Sequence, residues 1–461
     1  MQKQKLDLIK DPIPHLIIKM AIPVSVGFFF HTMFNVVDTY FASQINSVAV
    51  AAITITFPIF FMIIAISSGT RTGATALIAN AEGENNKELA KQYAIQTISF
   101  SIIAAIIIMI IGLISAPYLF KILHAEGEYF NFAIQYTNIL LYGCLFIILD
   151  STPTAGLNAV GDTKTYGRVF IIGFFVNLIL DPLFIYGYGP IPPMGVKGIA
   201  YATIFAEFIA TIYVFYRVKK MTSYFDNIVL KDFLPQFKNQ YEIAKQAFPA
   251  SVNMFAVGAG FFIITFFVSF FPTPETSDVS IAAYGIAIRV EQIILLPAIG
   301  LNFACLALTG QNYGALQFDR IREGYLTAMK YGFTILFFGG LILYFGAEIF
   351  MSLFTKDEQV ISIGIEYLQI AAFFTPIIAI LNISIALMQG LKKPGFTVFI
   401  SLFKELIAAV IIFYIVSFYF NFQLKGIWSS ILIINYLSVF IFLNIVNYRI
   451  KLLGIKLFTN K

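Results

Sequence analysis

The sequence is poor in charge, in cysteine and in histidine. Of its 461 residues only 12% are charged, and it contains 2 cysteines, 3 histidines and 1 tryptophan. Cys144 and Cys305 both fall in apolar segments and offer no disulfide framework. A nucleotide phosphate loop, the zinc motif HExxH, a paired-cysteine motif and the nucleophile elbow GxSxG are also missing. These absences argue against an enzyme, and without an ATP-binding motif any work must be driven by an ion gradient.

The sequence is rich in apolar residues instead. It is 59% hydrophobic with a mean hydropathy of +0.83, which no ordinary soluble core could accommodate. Apolar segments of the roughly 20 residues needed to cross a ~30 Å hydrocarbon layer recur about a dozen times. The sequence therefore predicts an all-α integral membrane protein with twelve transmembrane helices.

The two halves of the chain resemble each other. KMAIPVSV begins at Lys19 and KQAFPASV begins at Lys245, and the segments that end at Gly83 and Gly314 also align. Parallel repeats in membrane proteins are typical of two bundles that rock about a central cavity. We expect two pseudo-symmetric six-helix bundles. The predicted boundaries are an N-lobe at 1–220, a cytoplasmic linker at 221–240 and a C-lobe at 241–461.

The basic residues predict the orientation. Most of the 30 lysines and arginines lie in the N-terminal segment, in alternate loops and in the C-terminal segment, and cytoplasmic loops collect such residues. The opposite side holds only Lys121, Lys197, Lys356 and Lys425. The opening segment lacks an apolar signal core, so we expect the first helix to be retained and both termini to be cytoplasmic. The thin spread of charge gives no indication of nucleic-acid binding.

Acidic residues within the apolar segments are the strongest functional signal, because a carboxylate at the bilayer centre costs about 2.5 to 3.5 kcal/mol. Asp38 shares one helical face with Asn35 and His31, which precede it by three and seven residues. The functional interpretation is an ion-coupling site at Asp38. The alternative is a local pair or cap near the outer headgroups. His31 is either a proton relay or a packing residue.

A second polar face lies in the fifth apolar segment. Asn177 and Asp181 are four residues apart, and Pro182 follows, where the helix is expected to bend or end. Thr203 in the sixth segment adds a hydroxyl group. Two carboxyl groups in one dry pocket cannot both stay ionised easily, so at least one is expected to hold a proton near neutral pH. We predict that Asp38, Asn177, Asp181 and Thr203 bind a proton or a sodium ion.

The second half lacks these acids. Aligned by the repeat, Asp38 falls opposite Ile264 and Asp181 falls near Ala409, so coupling is expected in the N-lobe. The second half has its own charges in apolar segments, Arg289, Glu291 and the pair at 404–405. Residues two apart do not face each other on a helix, so Arg289 and Glu291 should contact groups on other helices. Structural pairing and a role in a substrate cavity stay open for both.

Pro23 and its repeat partner Pro249 should kink their helices, and Pro23 precedes Asp38 by fifteen residues. Bending at Pro23 could follow the charge state of Asp38. Small residues, among them Gly69, Gly73 and Gly300, are expected to let helices approach closely. Three further ionisable residues fall toward the estimated segment ends, where reaching out to water is the simplest interpretation; they are Arg71, Asp150 and Glu207.

These features together resemble the multidrug and toxic compound extrusion (MATE) family, within the larger superfamily that also holds lipid-linked oligosaccharide flippases. The resemblance covers essentially the whole chain, and no single motif is specific. The motifs that carry it are PIPHLIIKMAIP, NVVDTYF, LNAVGDTK, NLILDPLFIYG, GVKGIAYAT, RVEQIILLPAIGL and GQNYGA.

The resemblance implies antiport of drugs, often organic cations, against protons or sodium. By position, Asp38 matches the first-helix carboxylate whose protonation is linked to bending at the proline matching Pro23. Asn177, Asp181 and Thr203 match the other N-lobe cation ligands. The seventh span lacks the acidic residue that another branch of the family uses there, which favours N-lobe coupling.

The expected function is export of lipophilic, often cationic compounds by alternating access in the plasma membrane. The expected partners are small drugs and membrane lipid, with no cofactor beyond the coupling ion and with a monomer as the sufficient unit. His31, Asn35, Arg289 and Glu291 are the candidates for the substrate cavity. The main alternative is a flippase for a lipid-linked or amphipathic metabolite. A channel or a membrane-embedded enzyme remains a more distant alternative.

Overall fold

The computed structural model describes residues 6–271 and 277–454. Within these ranges twelve helical spans are long and apolar enough to cross a membrane, and no strand occurs beyond an isolated bridge between Tyr188 and Ile191. The prediction of an all-α membrane protein with twelve spans is therefore confirmed. Four of the terminal lysines that contribute to the predicted orientation lie outside the described residues; they are Lys3, Lys5, Lys456 and Lys461.

The helices follow the apolar segments, because in a bilayer the backbone must satisfy its own hydrogen bonds. In the first half they are α1 (Ile13–Ile45), α2 (Ser47–Gly83), α3 (Lys87–Ile122), α4 (Gly127–Leu149), α5 (Ser151–Ala159), α6 (Thr163–Tyr186) and α7 (Val196–Met221). In the second half they are α8 (Phe237–Val268), α9 (Ser277–Gly314), α10 (Phe318–Ser352), α11 (Glu358–Gly390), α12 (Gly395–Leu402), α13 (Ala409–Phe413) and α14 (Gln423–Lys451).

Two spans are built from more than one helix. The fourth span consists of α4 and α5, which meet at Asp150. The eleventh span runs from α12 through α13 and contains two π-helical segments, Phe403–Ala408 and Tyr414–Tyr419. Pro182 does not end its helix as one expectation had it, because α6 continues to Tyr186.

The described chain forms two compact units. We call residues 26–251 the N-terminal unit, and we call the residues before 26 together with those after 251 the C-terminal unit. The division falls two residues after Pro23 in α1 and two residues after Pro249 in α8. Each of these helices thus begins in one unit and ends in the other. The lobes drawn from the sequence at 1–220 and 241–461 stay a prediction.

Glycines allow close packing of the first part of α8 in the N-terminal unit and of the first part of α1 in the C-terminal unit. A Cβ atom on Gly73 would lie 2.6 Å from the backbone nitrogen of Ala247 on α8, within the N-terminal unit. A Cβ atom on Gly300 would collide with the carbonyl of Ala21 on α1, within the C-terminal unit. Such approaches are typical of small residues at helix interfaces in membranes.

The repeat is visible in how the helices end. The residues two positions beyond Gly83 and Gly314, Asn85 and Leu316, both adopt positive φ, 56° and 57°. In each case the next residue donates a backbone hydrogen bond to the helix, from Asn86 to Ala81 and from Gln317 to Asn312. This left-handed C-terminal cap satisfies carbonyls that would otherwise have no partner.

The segment between α7 and α8 packs on the N-terminal unit. Gln96 on α3 donates to the carbonyls of Asp232 and Leu234 at 2.8 and 2.9 Å and accepts from the Gln236 amide at 2.8 Å. The buried Tyr224 hydroxyl donates to Glu82 at 2.6 Å. These hydrogen bonds hold the segment against α3 and the C-terminal end of α2.

Candidate functional site

Four polar side chains from three helices meet inside the N-terminal unit. Asp38 lies on α1, Asn177 and Asp181 lie one turn apart on α6, and Thr203 lies on α7. Their exposed fractions are 7%, 0%, 0% and 3%. The structure therefore places together the four residues that the sequence analysis assigned to one site.

The contacts among these four residues are long. Thr203 Oγ1 lies 3.4 Å from Asp38 Oδ2 and 3.0 Å from the Ile199 carbonyl oxygen on its own helix. Asn177 Nδ2 donates to Asp181 Oδ1 at 3.4 Å. A hydroxyl has one proton, so Thr203 cannot donate fully to both of its neighbours. The four side chains therefore lie close together, but the hydrogen bonds among them are long.

Three oxygen atoms of this cluster have no hydrogen-bond partner among the described residues. They are Asp38 Oδ1, Asn177 Oδ1 and Asp181 Oδ2, which have no partner with good hydrogen-bond geometry although the Asp38 carboxyl lies close to the side chains of Asn177 and Asp181. Buried polar atoms normally have partners, so oxygens without one in the same cluster are suited to bind a proton or a cation. Mixed oxygen sites of this kind suit a proton or a sodium ion.

The described residues contain no group of three or more His, Cys, Asp or Glu side chains arranged to hold a metal ion. Any cation at this site would therefore be bound by the mixed set of carboxylate, amide and hydroxyl oxygens.

A tyrosine that the sequence analysis missed lies beside the site. Tyr136 on α4 is 6% exposed and within electrostatic range of both Asp38 and Asp181. The internal repeat of the sequence indicates this residue, because both halves have a tyrosine at the same position. Tyr136 lies nine residues into α4, and Tyr367 lies nine residues into α11, which is the repeat equivalent of α4.

The cavity candidates divide between the two units. His31 and Asn35 lie in the N-terminal unit, where the His31 ring lies 4.8 Å from the Phe170 ring and Asn35 is exposed. In the C-terminal unit Glu291 is buried, whereas Arg289 is exposed. His31 and Asn35 thus belong to one unit, and Arg289 and Glu291 belong to the other.

The interpretation that three ionisable residues reach out to water is wrong for Asp150. Asp150 is 8% exposed and accepts a 3.4 Å hydrogen bond from Thr154, because it sits at the internal junction of α4 and α5. Arg71 interacts electrostatically with Asp150 and donates to the Tyr166 hydroxyl at 2.6 Å. Glu207 is half-buried near Asp150.

Among the charged residues that the sequence singled out in the second half, Glu291, Lys404 and Glu405 have side-chain partners, whereas Arg289 is exposed. Tyr367 donates to Glu291 Oε2 at 2.5 Å, as expected for a residue that contacts another helix. Lys404 Nζ lies 2.7 Å from Glu405 Oε1. Lys404 is therefore neutralised locally, which weakens the case for the broad basic cavity that a lipid-linked flippase substrate would favour.

Comparison with known proteins supports the resemblance seen in the sequence. A model of the MatE family matches residues 23–183 and 249–415, one segment in each half. The probable multidrug resistance protein YoeA of Bacillus subtilis (strain 168) is 26% identical over 386 residues, which cover 82% of this chain and 81% of that protein. The FAD transporter of Shewanella oneidensis is 27% identical over 369 residues, or 78% of each protein.

The fold has a close structural neighbour. The outward-facing conformation of a multidrug resistance MATE family transporter of the MOP superfamily superposes with a TM-score of 0.90 at 26% identity, covering 98% of this chain and 99% of that one. The MatE match extends over well more than half of the sequence, and it agrees with the twelve spans. The chain therefore belongs to the MatE family of multi-pass membrane transporters.

Proposed function

We propose that this protein is a secondary active multidrug efflux antiporter. It exports lipophilic, often cationic compounds in exchange for protons or sodium ions. The observation that carries the proposal is the cluster of Asp38 and Asp181 inside one unit, with carboxylate oxygens that lack partners. Such a cluster can change its charge state at a fixed place in the fold.

Cation binding is the step that these residues perform. With both carboxylates ionised, Asp38 and Asp181 repel each other in a medium that screens poorly. A proton or a sodium ion removes that repulsion and bridges the oxygens of α1 and α6. Pro23 leaves one backbone carbonyl of α1 without its helical donor, so α1 is the helix best able to bend as the repulsion changes.

The transport cycle follows from this switch. In an inward-facing state the substrate loads from the cytoplasm or the inner leaflet. In an outward-facing state it is released as the cation binds at Asp38 and Asp181. A potential supplies about 2.3 kcal/mol per 100 mV for each net charge moved, which supports roughly a fortyfold accumulation ratio when one net charge enters per exported substrate. A one-for-one exchange of monovalent cations moves no net charge and is driven by the concentration gradient of the ion alone. The proposed location is the plasma membrane, with both termini cytoplasmic and a monomer as the working unit.

The test is export of a fluorescent cationic dye from proteoliposomes, with pH and sodium gradients imposed separately. Asp38→Asn should bind dye yet lose gradient-driven export, because an amide cannot gain or lose the charge. Asp226→Asn is the matched control, since Asp226 is exposed between α7 and α8. Normal gradient-driven export by a well-folded Asp38→Asn protein would disprove the proposal. The gradient that drives wild-type export identifies the ion.

A second candidate is translocation of an amphipathic metabolite or a lipid-linked one. It is favoured by the similarity to an FAD transporter, since FAD is a large anionic metabolite. The same proteoliposomes can be loaded with FAD or with a labelled lipid-linked sugar. Transport of either, without dye export, would support this candidate over multidrug efflux.

A further inference from the structure

The C-terminal unit contains a mainly apolar cavity of about 240 Å³ that holds a few polar side chains. It lies among α8, α9, α11, α13 and α14. Its lining includes the carboxylates of Glu291 and Glu405, the ammonium group of Lys404 and the side chains of Tyr284 and Asn435. The sequence analysis named Glu291 as a cavity candidate but did not connect it with the other four.

This cavity occupies the position that the four-residue cluster occupies in the N-terminal unit. Asp38 lies fifteen residues after Pro23, and Ile264 lies fifteen after Pro249. The helices that begin at Thr163 and Gly395 give the equivalents of the α6 residues: Asn177 corresponds to Ala409 and Asp181 corresponds to Phe413. This places the equivalent of Asp181 one turn beyond Ala409, the position that the sequence alignment gave it. The residues at the positions of Asp38, Asn177, Asp181, Thr203 and Tyr136 are Ile264, Ala409, Phe413, Ile431 and Tyr367, and all five line the cavity.

The acids of the cavity come from other positions. Glu291 is contributed by α9, and Glu405 is contributed by a π-helical segment of the eleventh span. Lys404 pairs with Glu405 at 2.7 Å and also interacts electrostatically with Glu291. Two carboxylates thus share one ammonium group. When both carboxylates are ionised the cavity carries an excess negative charge, which a bound cation would balance.

Two further polar groups in the cavity lack hydrogen-bond partners among the described residues. They are the Tyr284 hydroxyl and Asn435 Oδ1, and each residue is 3% exposed. Tyr284 stacks on Trp428, with ring centroids 5.6 Å apart, so its position is fixed by packing. Both oxygens can accept hydrogen bonds, and unsatisfied acceptors in a buried site call for a donor.

The remaining walls suit an organic cation. Phe261, Phe374 and Phe413 line the cavity together with the two tyrosines already named, and aromatic faces attract ammonium groups. The volume is smaller than the roughly 300 to 1,000 Å³ of a cavity that encloses a whole drug. The cavity is therefore sized for the charged head of a ligand.

We propose that this cavity binds the protonated primary or secondary amine of an organic ligand. The amine donates to Glu291 and to the oxygens of Asn435 and Tyr284, and its apolar part contacts the aromatic walls. This choice of ligand rests on the proposed export of cationic compounds. The site differs from the cluster at Asp38 in its residues and in its ligand, and equilibrium binding tests it without requiring transport.

The experiment is isothermal titration of the purified full-length protein with benzylammonium, benzyltrimethylammonium and benzyl alcohol. Benzylammonium should bind best, because the quaternary ion has no N–H donor and the alcohol has no charge. Glu291→Gln should weaken benzylammonium binding roughly tenfold or more, since the amide loses the charge attraction. Glu366→Gln is the matched control, because Glu366 is partly exposed and pairs with Lys425 outside the cavity.

A second variant covers the case in which Glu291→Gln does not fold. Tyr367→Phe keeps the ring but removes the hydroxyl that positions Glu291, and it should weaken benzylammonium binding by a smaller factor. Glu291→Gln should keep the response of its export to an imposed gradient while its benzylammonium binding weakens, which separates this inference from the proposed function. Unchanged affinity in the Glu291 or Tyr367 variant, or equal binding of benzyl alcohol, would overturn the inference.

Discussion

The two units carry the same helices and the same tyrosine but different polar chemistry. In the N-terminal unit Asp38, Asp181 and their neighbours converge, and Tyr136 stands beside them. In the C-terminal unit the matching positions are apolar, and Tyr367 bonds instead to Glu291 from α9. The two units therefore share their helices and a tyrosine at the same position, whereas their acidic residues lie at different positions. Gene duplication of a bundle does not duplicate its chemistry.

The largest effect should come from removing the second acid of the N-terminal unit. Asp181→Asn is expected to abolish the dye accumulation that an imposed pH or sodium gradient drives and to leave only the passive distribution, because the cation loses a charged ligand. The measurement is dye distribution across proteoliposomes with and without an imposed gradient. Glu291→Gln should keep its response to the gradient even where its export rate falls. A gradient response that is lost in the Glu291 variant and kept in the Asp181 variant would reverse the assignment of the two units.

A transplanted carboxylate tests whether the scaffold alone makes a coupling site. Ile264→Asp places an acid at the position that corresponds to Asp38, but Ala409 and Phe413 stand where Asn177 and Asp181 would be needed. We expect no rescue of export in an Asp38→Asn background, together with a loss of stability of about 3 kcal/mol for burying the charge. Export and thermal unfolding in detergent measure the two effects, and Ile264→Asn is the uncharged control. Restored coupling would show that one acid in either unit is enough.

Much of this arrangement could be predicted from the sequence. The apolar segments predicted the twelve spans because spacing and length determine which segments can cross a bilayer. The sequence correctly grouped Asp38, Asn177, Asp181 and Thr203 in space, since acids in apolar helices are rare and Asn177 and Asp181 share one face of α6. Their role remains a proposal.

Other features depend on contacts that the sequence does not reveal. Pro153 marks the internal break in the fourth span, because it lacks the N–H that would bond to Leu149, but it does not reveal that Asp150 at this break is buried. The cavity around Glu291 depends on which residues of α9, α11 and α14 face inward, and periodicity alone cannot assign this when a helix is apolar on all sides. The same limit hid Tyr136, because a tyrosine in an apolar helix gives no sign of its neighbours.

The smallest effect concerns a pair that only the second half contains. Lys425 Nζ lies 3.0 Å from Glu366 Oε1, with side chains 71% and 38% exposed. Lys197, the repeat equivalent of Lys425, has Gln135 where α11 has Glu366, so the first half cannot form this pair. Exposed ion pairs contribute about 0 to 1 kcal/mol because water and salt screen them. Glu366→Gln should therefore shift thermal unfolding in detergent slightly at low salt and not at all at high salt. A large shift that persists in high salt would mean that the pair holds α11 and α14 together, and that the C-terminal unit depends on a contact its counterpart does without.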